Sequence, residues 1–180
     1  MDDRMDVVIG EEDLRRRVRE LGAEISRDYC GRTPLLVAVL KGSFIFLADL
    51  ARAITIPVNL DFMAITRYGP GARGGVVRIE KDLDLAITGR EVLVVEDIID
   101  TGLTLGYLMK TLGARDPASL AVCTLLDRRA RRLTKLPIRY VGFEVPDRFL
   151  VGYGLDQREQ YRHLPHLAAL PEEEKGPGTP

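Results

Sequence analysis

The chain has 180 residues, 46% of them hydrophobic, which is enough for one domain with a full core and too little for two comfortable ones. A formal net charge of −1 argues against a generally basic nucleic-acid-binding surface, although small anionic ligands need only local positive charge. Cys30 and Cys123 are the 2 cysteines, each in an apolar setting; they exclude a disulfide framework or a four-ligand zinc site and are expected as buried free thiols.

Met1 to Asp6 lacks the charged-then-apolar pattern of a secretory signal, and no stretch approaches the roughly eighteen apolar residues of a membrane span, so a cytoplasmic protein without membrane partners is expected. Val7-Val8-Ile9 is a short apolar trio. Glu11-Glu12-Asp13 suit the positive end of a helix, and Leu14, Val18, Leu21 and Ile25 then recur at three- and four-residue spacing, predicting an amphipathic helix. Pro34 to Leu40 is a continuous apolar strand ending at Lys41-Gly42-Ser43, after which Phe44 to Ala53 resumes a helical pattern. Pro57 starts a third strand through Thr66. Arg67 to Gly75 is glycine-rich with little apolar anchoring, which predicts a mobile lid.

Val76 to Ile79 alternates as a strand and Thr88-Gly89 makes a turn. The run from Val92 to Thr104 follows, with a helix over Leu103 to Leu112, and Ala118 to Leu126 is a further buried strand. Beyond an arginine cluster, Tyr140 to Glu144 and Phe149 to Tyr153 are short strand-like pieces around Pro146-Asp147, followed by a polar, acid-bearing tail. Strands alternating with helices at this spacing predict an α/β fold with a mostly parallel sheet flanked by helices and ligand-binding turns along one edge.

The most informative stretch is Val92-Leu93-Val94-Val95-Glu96-Asp97-Ile98-Ile99-Asp100-Thr101-Gly102-Leu103-Thr104. Consecutive aliphatic residues suit a parallel strand covered on both faces, and open α/β sheets bind ligands beyond the carboxyl ends of such strands, where Glu96 and Asp97 fall. The turn from Asp100 to Thr104 feeds a helix whose first amides and dipole make a phosphate cradle, and Gly102 lets the phosphate approach closely. Neither G-x-x-x-x-G-K-[ST] nor G-x-G-x-x-G can be written onto this segment, which disfavours ATP and NAD.

The run resembles the signature of type I phosphoribosyltransferases, which bind 5-phosphoribosyl-1-pyrophosphate; its two adjacent acids, two isoleucines and Asp-Thr-Gly look like the hypoxanthine-guanine branch. The resemblance extends from about Val7 to Leu170 and rests on four motifs. It implies the fold of that family, as one domain over residues 1–170 with a small purine-binding hood from the N- and C-terminal segments, and a disordered tail over residues 171–180. Leu40-Lys41-Gly42-Ser43 resembles the pyrophosphate loop, which implies a non-proline cis peptide at Leu40-Lys41. In the second motif Glu96 and Asp97 would hold the ribose hydroxyls directly or through magnesium-bound water. Asp100 would exchange a proton at purine N7, and Thr101, Gly102, Leu103 and Thr104 would wrap the 5-phosphate. For Asp100 either a raised pKa or an acidic substrate nitrogen would serve.

Leu125-Leu126-Asp127-Arg128 is the third motif, with Arg128 where the family usually has a lysine that donates to the purine 6-oxo group; Arg131 or Arg132 could instead contact pyrophosphate. The fourth, Val141 to Asp156, resembles the purine pocket: Phe149 would stack on the base, the Leu150 backbone would read its edge, Asp156 would bind Mg²⁺, and Arg162 would contact pyrophosphate. His163 and His166 are read as surface residues. Arg67-Tyr68 corresponds to the active-site flap, with arginine in place of the usual serine. The implied function is purine salvage, forming IMP or GMP from the donor and hypoxanthine or guanine. A xanthine- or guanine-preferring transferase and a non-catalytic nucleotide-binding regulator are the alternatives, and a homodimer or homotetramer is expected.

Overall fold

The computed structural model describes residues 5–68 and 76–171. Its strands are β1 (Asp6–Ile9), β2 (Leu35–Leu40), β3 (Asn59–Tyr68), β4 (Val76–Lys81), β5 (Glu91–Ile99), β6 (Ser119–Asp127), β7 (Ile138–Glu144), β8 (Leu150–Val151) and β9 (Leu167–Ala169). The helices are α1 (Glu11–Asp28), α2 (Phe44–Ala53) and α3 (Leu103–Gly113). The main sheet has the order β4-β3-β2-β5-β6-β7, parallel throughout except for the edge strand β4, which pairs antiparallel with β3.

The apolar strands divide their side chains between two layers, as burial on both faces demands. Leu36 and Ala38 of β2, Leu93 and Val95 of β5, and Cys123 and Leu125 of β6 pack with Leu14, Leu21, Ile25, Phe46 and Leu50 from α1 and α2. Leu35, Val37, Val92, Val94 and Val122 face the other way, onto Leu105, Leu108 and Leu112 of α3. Because these strands run the same way, the segments that leave β2, β5, β6 and β7 all start from one edge. A second, antiparallel sheet, β1-β9-β8, joins the two ends of the described chain over a small core of Val151, Ala168 and Leu170, with Met5, Phe149 and Tyr161 against it.

Asp61 fastens the return from β4 to β5. Only 4% exposed, its carboxylate accepts the amides of Phe62 at 2.8 Å and of Asp84 and Leu85 at 2.9 Å, with the Lys81 ammonium 3.8 Å away. Removing a buried acceptor strands its donors, so Asp61→Ala is expected to lower stability by about 3 kcal/mol in urea unfolding, whereas an exposed, solvated acid would cost almost nothing.

The expected elements recur with a few corrections. The third strand starts at Asn59, not Pro57, because pairing begins where the Asn59 amide donates to the Pro34 carbonyl at 3.0 Å. It also runs on through Tyr68, since β4 pairs with it as far as Val76; the lid expected over Arg67 to Gly75 otherwise falls on residues 69–75, outside the described residues, as does the tail from 172. The acids Glu96 and Asp97 lie inside β5, because β6 carries the pairing on to Ile99. The piece expected over Phe149 to Tyr153 is a strand only at Leu150–Val151, since Gly152 and Tyr153 turn to φ 98° and 47°. In the stretch read as a polar tail, Leu167–Ala169 forms a strand. Cys30 is exposed, contrary to expectation, because Tyr29 takes the buried position beside it; Cys123 is buried as expected.

Candidate active site

The loop after β2 is built by close approach. The Leu40-Lys41 peptide is cis, as the resemblance implied, and the fully buried Ser43 hydroxyl donates to the Val39 carbonyl at 2.5 Å across this bend. A Cβ added at Gly42 would lie 1.6 Å from Asp97 Oδ2, so the bare backbone of the loop runs directly against the acid. From the other side comes Gly154, at φ 103°, where an added Cβ would meet the Gly42 carbonyl oxygen at 2.1 Å. No side chain fits between these three groups.

The segment after Gly154 carries the charges of this region. Arg162 donates through Nη1 to the Gly154 carbonyl at 2.8 Å and pairs through Nη2 with Asp156 Oδ1 at 2.7 Å. Asp156 Oδ2 accepts the Glu159 amide at 2.8 Å, and the Glu159 carboxylate lies 3.2 Å from Lys41 Nζ and 3.5 Å from Arg162. Arg158 and Glu159 hold left-handed backbone conformations, φ 52° and 65°, of the kind that collects at functional sites.

Glu96 and Asp97 are half-buried and adjacent. Burial pushes the Glu96 carboxyl well above its ordinary range, and the Asp97 charge adds to the effect. Burial also raises Asp97, to about 6; the Ile98 amide and Arg162 oppose the shift, whereas Asp156 reinforces it. Burial at this place therefore outweighs the positive charge that Arg162 brings to the pair.

At the far end of β5, Gly102 takes φ 78° as the cap of α3, and its amide-rich turn is closed by Leu133 donating to the Thr101 carbonyl at 2.9 Å. The helix's own ladder starts with Gly106 donating to Gly102, so the amides of the first turn, including Leu103 and Thr104, remain at a helix start suited to an anion. The Leu103 amide makes one long bond, 3.4 Å, to Thr101 Oγ1.

Asp100 lies between two guanidinium groups, 3.3 Å from Arg131 and 3.7 Å from Arg128. Arg128 is 8% exposed; it donates to the Arg148 carbonyl at 2.7 Å and approaches Asp147 at 4.0 Å. It thus connects the acid of the turn to the loop that leads into Phe149 and Leu150. Phe149 is half-buried, with its carbonyl accepting the Leu170 amide at 3.2 Å. Arg132 is paired instead with the buried Asp127, so of Arg131 and Arg132 it is Arg131 that turns toward Asp100.

One edge of the sheet thus gathers Leu40, Lys41, Gly42, Glu96, Asp97, Asp156 and Arg162, and next to it Asp100, the 101–104 turn and Arg128. The side chains of Arg67 and Tyr68 lie outside the described residues. Sequence reasoning passed over Gly154, Glu159 and the Arg131 contact to Asp100. The paired glycines of Gly152-Tyr153-Gly154 were the available signal for the first; a charged residue in a polar segment gives none for the second.

A parallel sheet whose carboxyl edge presents an acid pair followed by an amide-lined turn defines the phosphoribosyltransferase class. Residues 11–158 match the family described as the phosphoribosyl transferase domain, and the chain belongs to that family. More particularly, it is 46% identical over 169 residues to the hypoxanthine phosphoribosyltransferase of Salmonella typhimurium, covering 92% of this chain and 95% of that one. It is 48% identical over 171 residues to the hypoxanthine-guanine phosphoribosyltransferase of Mycobacterium avium, covering 91% of this chain and 84% of that one. A crystal structure of a hypoxanthine-guanine phosphoribosyltransferase from Bacillus anthracis superposes with a TM-score of 0.89 at 47% identity, covering 92% of this chain and 98% of that one.

Proposed function

We propose that the protein transfers the 5-phosphoribosyl group of 5-phosphoribosyl-1-pyrophosphate to hypoxanthine, and to guanine, forming IMP or GMP and releasing pyrophosphate. The observation that carries this reading is the juxtaposition of Asp97 with Gly42, Gly154 and Arg162, which sets an acid pair suited to a ribose diol beside a cationic loop suited to pyrophosphate. The named relatives support the choice of purine. In this reading Glu96 and Asp97 hold the ribose hydroxyls, and Thr101, Gly102, Leu103 and Thr104 hold the 5-phosphate. Leu40, Lys41, Gly42 and Arg162 take the pyrophosphate. Asp100 exchanges a proton with the purine, and Arg128, Phe149 and Leu150 receive the base under a flap that includes Arg67 and Tyr68.

Glu96, Asp97 and Asp156 offer hard oxygen donors next to that anion site, which fits Mg²⁺. Among the described residues no group of three or more His, Cys, Asp or Glu is placed to hold a metal ion by itself, so the proposed ion would need substrate oxygens and water to complete its shell. When bound, Mg²⁺ supplies charge neutralisation and orientation for the departing pyrophosphate. No helix among the described residues is long and apolar enough to cross a membrane. The setting proposed is cytoplasmic, as a homodimer or homotetramer without nucleic-acid partners.

Arg128, where the family usually has lysine, keeps a second reading open, a xanthine- or guanine-preferring transferase. A guanidinium carries donors only, so at the base it complements a 6-oxo group and opposes the amino group of adenine. Incubating the protein with donor, Mg²⁺ and each of hypoxanthine, guanine, xanthine and adenine tests both readings: fastest nucleotide formation with hypoxanthine supports the first, and a preference for xanthine or guanine overturns it. Arg128→Ala is expected to raise the KM for hypoxanthine by roughly tenfold or more, the loss of one charged hydrogen bond, with a smaller change in the KM for donor. Unchanged purine kinetics would remove Arg128 from the base site.

A further inference from the structure

Tyr153 stands out within the segment that carries Asp156 and Arg162. It is 5% exposed, it sits among the core side chains under α2, and its backbone is left-handed at φ 47° between two glycines of positive φ. A bulky residue in that conformation persists only where its surroundings hold it. Its hydroxyl donates to Asp49 Oδ2 at 2.6 Å, a contact spanning 104 residues of sequence, and the other carboxylate oxygen of Asp49 pairs with Arg52. A short bond from phenol to carboxylate is charge-assisted and stronger than a neutral one.

The two ends of this bond belong to the two halves of the pyrophosphate region. Asp49 lies on α2, the helix that starts directly after the Lys41-Gly42-Ser43 loop. Tyr153 precedes Gly154, which is pressed against the Gly42 carbonyl, and the Tyr153 and Gly154 amides donate to the Leu164 and Arg162 carbonyls at 2.9 and 3.0 Å. The strained turn that presents Asp156 and Arg162 is therefore anchored through the Tyr153 hydroxyl to the helix that carries the loop.

We propose that the Tyr153–Asp49 bond is a positioning strut that holds Asp156 and Arg162 in register with the Lys41-Gly42 loop, and so sets affinity for the pyrophosphate end of the donor and its Mg²⁺. The proposal rests on the reading of Asp156 and Arg162 given above. Neither strut residue touches substrate; they act through the segment they join.

Tyr153→Phe removes only the hydroxyl. It is expected to raise the KM for 5-phosphoribosyl-1-pyrophosphate about tenfold, to raise the Mg²⁺ concentration needed for half-maximal rate, and to leave the KM for hypoxanthine within about twofold. Asp49→Ala should reproduce this, Asp49→Asn, which keeps an acceptor, should restore most of it, and the Tyr153→Phe/Asp49→Ala pair should be no worse than either single change. Unchanged donor KM and Mg²⁺ dependence in Tyr153→Phe would overturn the proposal. So would an equal rise in both KM values accompanied by a lower Tm, which marks a merely structural tyrosine. Asp156→Asn separates the two levels: if it leaves donor KM and Mg²⁺ dependence unchanged, the site reading and the strut both fail, whereas a defect there without one in Tyr153→Phe removes the strut alone.

Discussion

Gly42→Ala is expected to lower kcat/KM by about a thousandfold, close to 4 kcal/mol of transition-state stabilisation, in a protein that still folds. The added methyl would need the space of Asp97 Oδ2, 1.6 Å away, and of its Cγ at 2.7 Å. Retreat of the loop is blocked on the opposite side, where Gly154 already meets the Gly42 carbonyl. Asp97 must then rotate away from the place where a ribose would lie, and small displacements of a positioned group are costly in catalysis. Because a half-buried carboxylate can rotate toward water, the fold should survive with a modest fall in Tm. Gly113→Ala is the matched control: at the end of α3 an added Cβ meets nothing nearer than Leu120 at 3.9 Å, so its kinetics should match those of the parent. Steady-state rates and circular-dichroism melts on the two variants check the contrast, and an active Gly42→Ala would show that the Asp97 approach has no part in turnover.

Asp97→Asn is expected to make the ligand-free protein more stable at pH 7 while nearly abolishing activity. The folded carboxyl titrates at about 6 against an ordinary value of 3.8, with burial as the main cause, so between those values the folded state binds more protons than the unfolded chain. Stability of the free protein then falls as pH rises through that window, and the full penalty is present above about pH 6. Asparagine removes it and can still accept the Ile98 amide, which now binds Asp97 Oδ1 at 2.7 Å. The gain should be about 1–2 kcal/mol once partial exposure of the acid is allowed for. Melts of the free protein from pH 4 to 8 check this: the parent should lose Tm between about pH 4 and 6, and the variant should be flatter. Donor with Mg²⁺ should stabilise the parent strongly and the variant little, by ligand linkage. Equal slopes for the two proteins would count against an acid held at a cost for its ligand.

What could be read from the sequence was whatever lay in contiguous segments. β2 is an uninterrupted aliphatic run, and β5 carries one from Val92 to Val95, because both faces are covered there; the acids and the binding turns follow close behind, so strand, acids and phosphate turn stand next to one another in the sequence. Three kinds of feature were not readable. β9 is the three-residue Leu-Ala-Ala, too short to carry a period, and it is a strand only because β1 and β8 pair with it on either side. The Gly42–Gly154 approach and the Tyr153–Asp49 bond join residues more than a hundred positions apart, and neither pair has a local signature. Cys30 is exposed because a turn, with no periodicity of its own, chose which of two neighbouring residues faced inward.

The small sheet also sets an order of assembly during synthesis. β1 precedes the strands of the large sheet in the chain, yet its partner β9 follows them all, and Leu150 and Val151 of β8 pair with β9 as well. The large sheet has all its strands once a nascent chain has reached β7, whereas the part bearing Phe149 and Leu150 lacks its pairing partner until β9 has been made. Partial chains released early would therefore carry the acid pair and the phosphate turn without a completed place for the base.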